Sequence, residues 1–326
     1  MTQRASEMPT PPLVSIGVPT CDRARLLHRA LHSLVAQDYP NLEIVVSDNA
    51  STDDTPAICE DMRKRHPNIR YFRVPVRTPP FANFRNALVP SQGIYFMWAA
   101  DDDLWERHFV STLVKQLELT RDIMLVAAEA QYVLHDGTKL PFFPEGTAFY
   151  APLPSSRLRR ILTVSRHAYG NLIYGLYRRE ALVGHDGRTV LDACRFTNEI
   201  PLFIQVADRG GIRVCDRILL YKTTTFQTFL QAAREYGFVP QVDLDRSGEH
   251  ADPRSNPPWL HRCLSTLVYH VRTLADIQRA LWRIDAGLGT RVVLLLLFGV
   301  LVGVHFLKLA VAWPLEDALR KRVRVF

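Results

Sequence analysis

The 326 residues exceed the usual size of one core, so one large domain with an appendage is expected. A composition 47% hydrophobic and 22% charged excludes disorder over most of the length. The net charge of +7 is concentrated in two clusters, Arg157, Arg159, Arg160 and Arg166, then Arg320, Lys321, Arg322 and Arg324. Without interleaved aromatics or a recognised motif they argue against nucleic acid, and leave anionic lipid or a solvated face.

Five cysteines, at 21, 59, 194, 215 and 263, form no C-x-x-C pair, which fits a reducing compartment without a zinc site. Residues 1–12 lack the apolar core of a signal peptide, so the chain is expected to start in the cytosol and stay there. Leu13 to Val18 predicts a short buried strand, broken by the turn and cap residues Pro19-Thr20-Cys21-Asp22. Leu27, Leu31, Leu34 and Val35 then recur at helical spacing. Leu42 to Ser47 is a second strand, ending at Asp48-Asn49-Ala50-Ser51-Thr52-Asp53-Asp54. The next helix starts near Thr55 with Pro56 at its first position and stops near His66-Pro67.

Ile69 to Val74 predicts a third strand, Ala82 to Val89 a short helix, and Gly93 to Trp98 a fourth strand. Strands alternating with helices imply a mostly parallel sheet that binds ligands beyond the carboxyl ends of its strands. That geometry gathers Thr20 to Arg23, Asp48 to Asp54 and Asp101 to Asp103 on one rim. Neither G-x-G-x-x-G after the first strand nor G-x-x-x-x-G-K-[ST] anywhere is present, which disfavours a dinucleotide fold and a P-loop.

The stretch from Gly93 to Trp105 is the most informative: an apolar run ends abruptly in three consecutive carboxylates. Such oxygens are hard ligands for Mg2+ or Mn2+, which complete their shells with water and substrate phosphate. A solvated turn or a helix N-terminus also accommodates Asp, and the triple Asp alone leaves both readings open. Three polar strand ends on one edge favour the metal-diphosphate reading.

Four motifs in this order, Val14 to Arg23, Glu43 to Asp54, Asn83-Phe84-Arg85-Asn86, and Gly93 to Trp105, resemble those of family 2 inverting glycosyltransferases of bacterial cell-surface glycan type. The resemblance covers about the first third of the chain directly. It implies the GT-A fold, an α/β nucleotide-diphospho-sugar transferase architecture with a mixed, mostly parallel sheet flanked by helices. It also implies a Mn2+ or Mg2+ cofactor and a UDP, dTDP or GDP sugar as donor. Pro19, Thr20, Arg23, Asp48, Asn83, Arg85, Asp101 and Asp102 are the implied nucleotide-binding residues, with Asp48 facing the imide of the base. Asp103 and Asp101 are the implied metal ligands. This chain has Cys21 where the family often has an aromatic residue, and Asp22 where it often has Asn.

Further along, His108 to Leu119 predicts a helix, Ile123 to Ala128 a strand, and Phe142 to Pro154 an irregular stretch that is either an acceptor-side loop or surface packing. Asn171 to Glu180 resembles the family's acceptor-side strand, with Arg178 and His167 as candidate phosphate or acceptor contacts. A helix from about Thr197 to Arg209 carries Glu199 in its first turn. The resemblance makes Glu199 the general base, with Asp192 in reserve, although a Glu there is also a favourable dipole partner.

Residues 240–258 read as a linker between a catalytic domain, 1–239, and a helical region, 259–326. There Leu260, Leu264, Leu267, Val271, Leu274, Leu281 and Ile284 form an apolar stripe interrupted by arginines. Val292 to Trp313 is hydrophobic but contains His305 and Lys308, which favours an interfacial or re-entrant helix over a span. Gly299 and Gly303 would permit close helix pairing in a homo-oligomer. The sequence-level expectation is therefore a metal-dependent, inverting glycosyltransferase on the cytoplasmic face of the inner membrane, with a glycan or lipid-linked acceptor. Transfer to polyprenyl phosphate and a silent nucleotide-binding membrane scaffold are the alternatives.

Overall fold

The computed structural model describes residues 10–142, 144–151, 156–168, 170–194, 199–229 and 275–284, with 287, 289, 291, 292, 295, 296 and 299. The strands are β1 (Val14–Thr20), β2 (Leu42–Asp48), β3 (Ile69–Arg73), β4 (Tyr95–Trp98), β5 (Leu104–Trp105), β6 (Ile123–Leu134), β7 (Leu176–Arg178) and β8 (Gly211–Thr224). The α-helices are α1 (Ala24–Val35), α2 (Thr55–Arg65), α3 (Pro80–Leu88), α4 (Phe109–Leu119), α5 (Arg157–His167) and α6 (Ile200–Arg209).

The strands form one sheet in the order β3-β2-β1-β4-β7-β6-β8-β5. β3, β2, β1 and β4 run parallel, β7 pairs antiparallel with both β4 and β6, β8 runs parallel to β6, and β5 pairs antiparallel with β8. This is the mixed, mostly parallel α/β sheet of the GT-A type. All seven residues of β1 are buried, as expected of a central parallel strand covered on both faces. Leu27, Ala30, Leu31 and Leu34 give α1 its buried face, and Phe109, Val110, Leu113, Val114 and Leu117 do the same for α4.

The expected acceptor-side strand is mostly something else. Gly170–Tyr174 is a 3-10 turn, and only Leu176–Arg178 pairs in the sheet. The Asn171 amide is drawn into a buried bond with Glu145 at 2.5 Å, and the Tyr177 hydroxyl donates back to the Leu172 carbonyl at 3.1 Å; both pull the turn out of extended geometry. In the irregular stretch after β6, buried Glu129 accepts hydrogen bonds from the Glu145 and Gly146 N–H groups and the Tyr150 hydroxyl. One carboxylate thus pins a loop that has no ladder of its own.

The chain divides into two compact units, Met1–Asp192 with Val206–Pro240, and Ala193–Gln205 with Gln241–Phe326. The second unit contains Glu199 and the start of α6. Within that unit residues 275–283 are helical, and Ile277, Ala280, Leu281 and Ile284 bury one face at the expected spacing. The expected linker, most of the C-terminal stripe, most of the Val292 to Trp313 segment, Gly303 and the basic tail lie outside the described residues. Among the described residues no helix is long and apolar enough to cross a membrane.

At the amino end of the strands, Glu43 is a buried carboxylate. Burial alone would raise its pKa, but Ser15 Oγ, the Gln92 N–H and Arg70 hold it below the usual range. Gly93 enters β4 against this network: a Cβ there would lie 2.6 Å from the Tyr95 carbonyl oxygen and 2.7 Å from the Ser15 nitrogen. Both are backbone atoms that cannot swing aside. Gly93→Ala is therefore expected to destabilise the protein by about 1–3 kcal/mol, measured by urea unfolding; an unchanged midpoint would show that the edge relaxes freely.

Candidate donor-binding site

The carboxyl ends of β1, β2 and β4 meet on one rim, and their loops are tied to one another. After β1 the chain turns at Asp22, and after β2 at Ala50, both in the left-handed region with φ of 52° and 57°. The Asp22 carboxylate accepts a hydrogen bond from the Thr52 N–H at 2.7 Å and pairs with Arg77. Those two partners, the Thr52 N–H foremost, hold its carboxyl below the usual range. The Asp22 N–H donates to Ser51 Oγ at 2.9 Å, and the Ala24 N–H donates to Asp53 Oδ2 at 3.0 Å. Asn83, on α3, completes the weave: its Nδ2 donates to the Thr20 carbonyl at 3.2 Å, and its Oδ1 accepts from Ser47 Oγ at 2.6 Å.

Asp48 closes β2 and is fully buried. Its Oδ1 accepts the Ser51 N–H and its Oδ2 the Tyr71 hydroxyl, each at 2.9 Å, with Arg73 Nε 3.6 Å away. Burial and this carboxylate together push the Tyr71 hydroxyl up. Pro19, buried next to Thr20, pairs with Ser47 across the β1–β2 register.

The three consecutive carboxylates have three different partners. Asp101 Oδ2 accepts from Thr20 Oγ1 at 2.8 Å. Asp102 Oδ2 pairs with Arg23 at 2.5 Å, with both side chains partly exposed. Asp103 is fully buried, with Oδ2 bonded to Lys222 Nζ at 2.8 Å and Oδ1 to the Thr223 N–H at 2.9 Å. Burial raises the Asp101 carboxyl to about 6, the adjacent Asp102 adds to the rise, and Thr20 and Arg23 oppose it. Burial also raises Asp103, against the pull of Lys222.

Mg2+ and Mn2+ use one or two carboxylates, completed by phosphate and water. Asp101 and Asp102, neither of them fully buried, fit that donor set. Asp103 was expected to be the principal ligand, but both of its oxygens are already engaged by β8. Among the described residues no group of three His, Cys, Asp or Glu side chains is arranged to hold a metal by itself.

The structure brings Pro19, Thr20, Arg23, Asp48, Asn83, Asp101, Asp102 and Asp103 together. Arg85 faces Asp192 instead, with Nε 3.2 Å from Oδ1, and Asp192 also accepts the Thr189 N–H at 2.9 Å. Glu199 belongs to the second unit, where its carbonyl receives the Leu202 and Phe203 N–H groups as α6 begins. Arg178 is not free for phosphate or acceptor: its guanidinium donates to the carbonyls of Ile123 and Leu117 and to the Tyr95 hydroxyl, at the amino end of β4. His167 is exposed in the last turn of α5. Lys222 and Thr223 escaped the sequence reading. The available signal was a lysine directly after the apolar Ile218-Leu219-Leu220-Tyr221 run of β8.

Two outcomes follow from these carboxylates. Because the folded-state value of Asp101 is raised from 3.8 to about 6, its ionised form burdens the folded state fully above about pH 6 and not at all below about pH 4. Asp101→Asn keeps the acceptor for Thr20 and removes that burden, so in metal-free buffer it is expected to melt higher than wild type at neutral pH. The gap should close at pH 4 in thermal unfolding, and a pH-independent gap would refute the assignment. Lys222→Met strands a buried carboxylate and is expected to cost about 3–5 kcal/mol, whereas adding Asp103→Asn should restore most of it. A chemical-denaturation double-mutant cycle measures the coupling.

Residues 15–173 match the family model described as glycosyl transferase family 2. A Campylobacter jejuni protein named GalNAc(5)-diNAcBac-PP-undecaprenol beta-1,3-glucosyltransferase is 35% identical over 106 residues, 32% of this chain and 34% of that protein. Escherichia coli WcaA, whose name provisionally assigns it as a glycosyl transferase of colanic acid biosynthesis, is 28% identical over 167 residues, 50% of this chain and 56% of that one. The chain thus spans about a third to a half of these curated relatives. The crystal structure of Staphylococcus aureus TarS residues 1–349 in complex with UDP-GlcNAc superposes with a TM-score of 0.55 at 18% identity, over 86% of this chain and 69% of that one. That likeness is one of fold.

Proposed function

We propose, from the match of residues 15–173 to the family model described as glycosyl transferase family 2, that the protein moves a sugar from a nucleoside-diphosphate donor to a hydroxyl of a lipid-linked or cell-surface glycan, inverting the anomeric centre. The observation that carries this reading is the rim itself. Asp101 and Asp102 stand at the carboxyl end of β4, beside the loops after β1 and β2, where an open α/β sheet receives its ligand.

In this reading the knitted loops of Thr20 to Arg23 and Asp48 to Asp54 form a preorganised seat for the nucleoside, with Asp48 and Asn83 fixing its shape from beneath. Preorganisation matters because a site that need not rearrange spends less of its binding energy on ordering loops. Mn2+ or Mg2+ at Asp101 and Asp102, when bound, would offset the negative charge of the diphosphate. Arg23 holds Asp102 in place from the start of α1. The acceptor hydroxyl needs a base, and Glu199 is the proposed one, with Asp192 in reserve. Asp192 is held in place by the Arg85 guanidinium, with Nε 3.2 Å from its Oδ1.

The donor proposed first is a UDP sugar, as in the TarS complex, with dTDP and GDP sugars next. The name of the Campylobacter relative supports an undecaprenyl-diphosphate-linked acceptor. Such an acceptor lives at a membrane, so residues 259–326 are proposed to hold the enzyme at the cytoplasmic face of the inner membrane, as a monomer or a homo-oligomer.

Thermal unfolding of the full chain with UDP, GDP, dTDP or CDP, each with Mn2+ or with EDTA, tests the donor. A nucleotide at about a hundred times its dissociation constant adds about 2.7 kcal/mol of stability. The expected result is a Mn2+-dependent shift with one nucleotide, lost in Asp102→Asn and kept in Glu199→Gln, which should nevertheless fail to transfer sugar. No shift with any of the four would overturn the reading.

A further inference from the structure

The acid loop is bonded to a half-buried ammonium whose hydrogen-bonding capacity the fold does not use up. Lys222 Nζ donates to Asp103 Oδ2 at 2.8 Å, and among the described residues no other acceptor takes a hydrogen bond from it. An ammonium has three N–H donors. The head also lies 4.7 Å from the centroid of the Tyr174 ring, a cation–π contact that steadies the charge without occupying a lone-pair acceptor. The side chain is 24% exposed, so part of it reaches the surface.

The location is specific. Lys222 stands opposite Tyr132 in the β6–β8 register, and its neighbour Tyr221 pairs with Leu104, the residue that follows the acid loop. Burial alone would lower the lysine; Tyr174, Asp103 and Asp102 raise it instead, so it stays an ammonium within the electrostatic reach of two of the three carboxylates. A diphosphate cannot approach three carboxylates without cations on the same side. Among the described residues Arg23 and Lys222 are the protein cations bonded to that loop, and a compact ammonium is a natural phosphate partner.

We infer that Lys222 is a donor-site contact, giving an N–H to an oxygen of the distal phosphate while Asp103 holds it in place. This rests on the donor reading above. In the transfer, the acceptor oxygen bonds to the anomeric carbon as the bond from that carbon to the distal phosphate oxygen breaks. The electron pair stays on the phosphate oxygen, the acceptor proton passes to the base, and Lys222 keeps its protons and faces the new negative charge. Asp103 accordingly acts as a positioning residue for the lysine.

The distal phosphate separates this role from a purely architectural one, because a nucleoside monophosphate lacks it. Titration calorimetry with Mn2+ would compare UDP with UMP, GDP with GMP, dTDP with dTMP and CDP with CMP. The proteins are wild type, Lys222→Met, Lys222→Arg and the double variant Asp103→Asn, Lys222→Met, which leaves no stranded carboxylate if the single variant fails to fold. The expected result is a diphosphate affinity about tenfold to a hundredfold weaker in the methionine variants, with monophosphate affinity unchanged and Lys222→Arg in between. Equal losses for both nucleotides, or an unaltered diphosphate affinity in the folded double variant, would overturn the inference. If wild type binds none of the four diphosphates, the donor reading falls first and takes this one with it.

Discussion

Three carboxylates at the end of a buried strand repel one another and resist leaving water, and the rest of the rim is arranged around that constraint. The protein meets it in three ways at once. Asp103 goes fully inside and takes a lysine and a backbone N–H from β8. Asp102 stays partly in solvent with an arginine from the start of α1. Asp101 receives the Thr20 hydroxyl and keeps a raised proton affinity. The least compensated carboxylate is thus the one with most to gain from an incoming cation, which is how the proposed metal-diphosphate seat would be kept receptive without destabilising the whole domain.

The loops around this point bind one another before they bind anything else. Asp22 reaches Thr52 and Arg77, Asp53 reaches back to the first turn of α1, and Asn83 bridges Thr20 and Ser47. Several residues that a ligand-centred view would place in direct contact are occupied by their neighbours. These bonds fix the shape of the rim, and the left-handed backbone at Asp22 and Ala50 shows how sharply the chain bends to achieve it.

Much of this was legible in the sequence because parallel strands buried on both faces announce themselves as short apolar runs, and β1, β2, β3 and β4 fall close to where those runs lie. The acid loop was equally plain, since no other part of the chain passes so abruptly from apolar to acidic. What the sequence could not give was long-range pairing. The lysine that claims Asp103 comes from a distant strand, and the arginine read as an anion contact, Arg178, proves to tie three groups at the opposite edge of the sheet. A short strand such as β7 was misjudged for a related reason: its extent is the pairing of Leu176–Arg178 with β4 and β6, which periodicity does not carry.

The partnership of Asp103 and Lys222 spans 119 residues. The stretch that matches the family model ends at residue 173, before the lysine. During synthesis the acid loop therefore leaves the ribosome well ahead of its counter-charge, by roughly ten seconds at ordinary elongation rates. Until β8 arrives, the half-built sheet has an unpaired β6 edge and an acid it cannot bury, so this part of the fold is completed late and from the far end of the sheet, the behaviour of a high-contact-order topology. The rim that looks most local in sequence is whole only once β8 is in place.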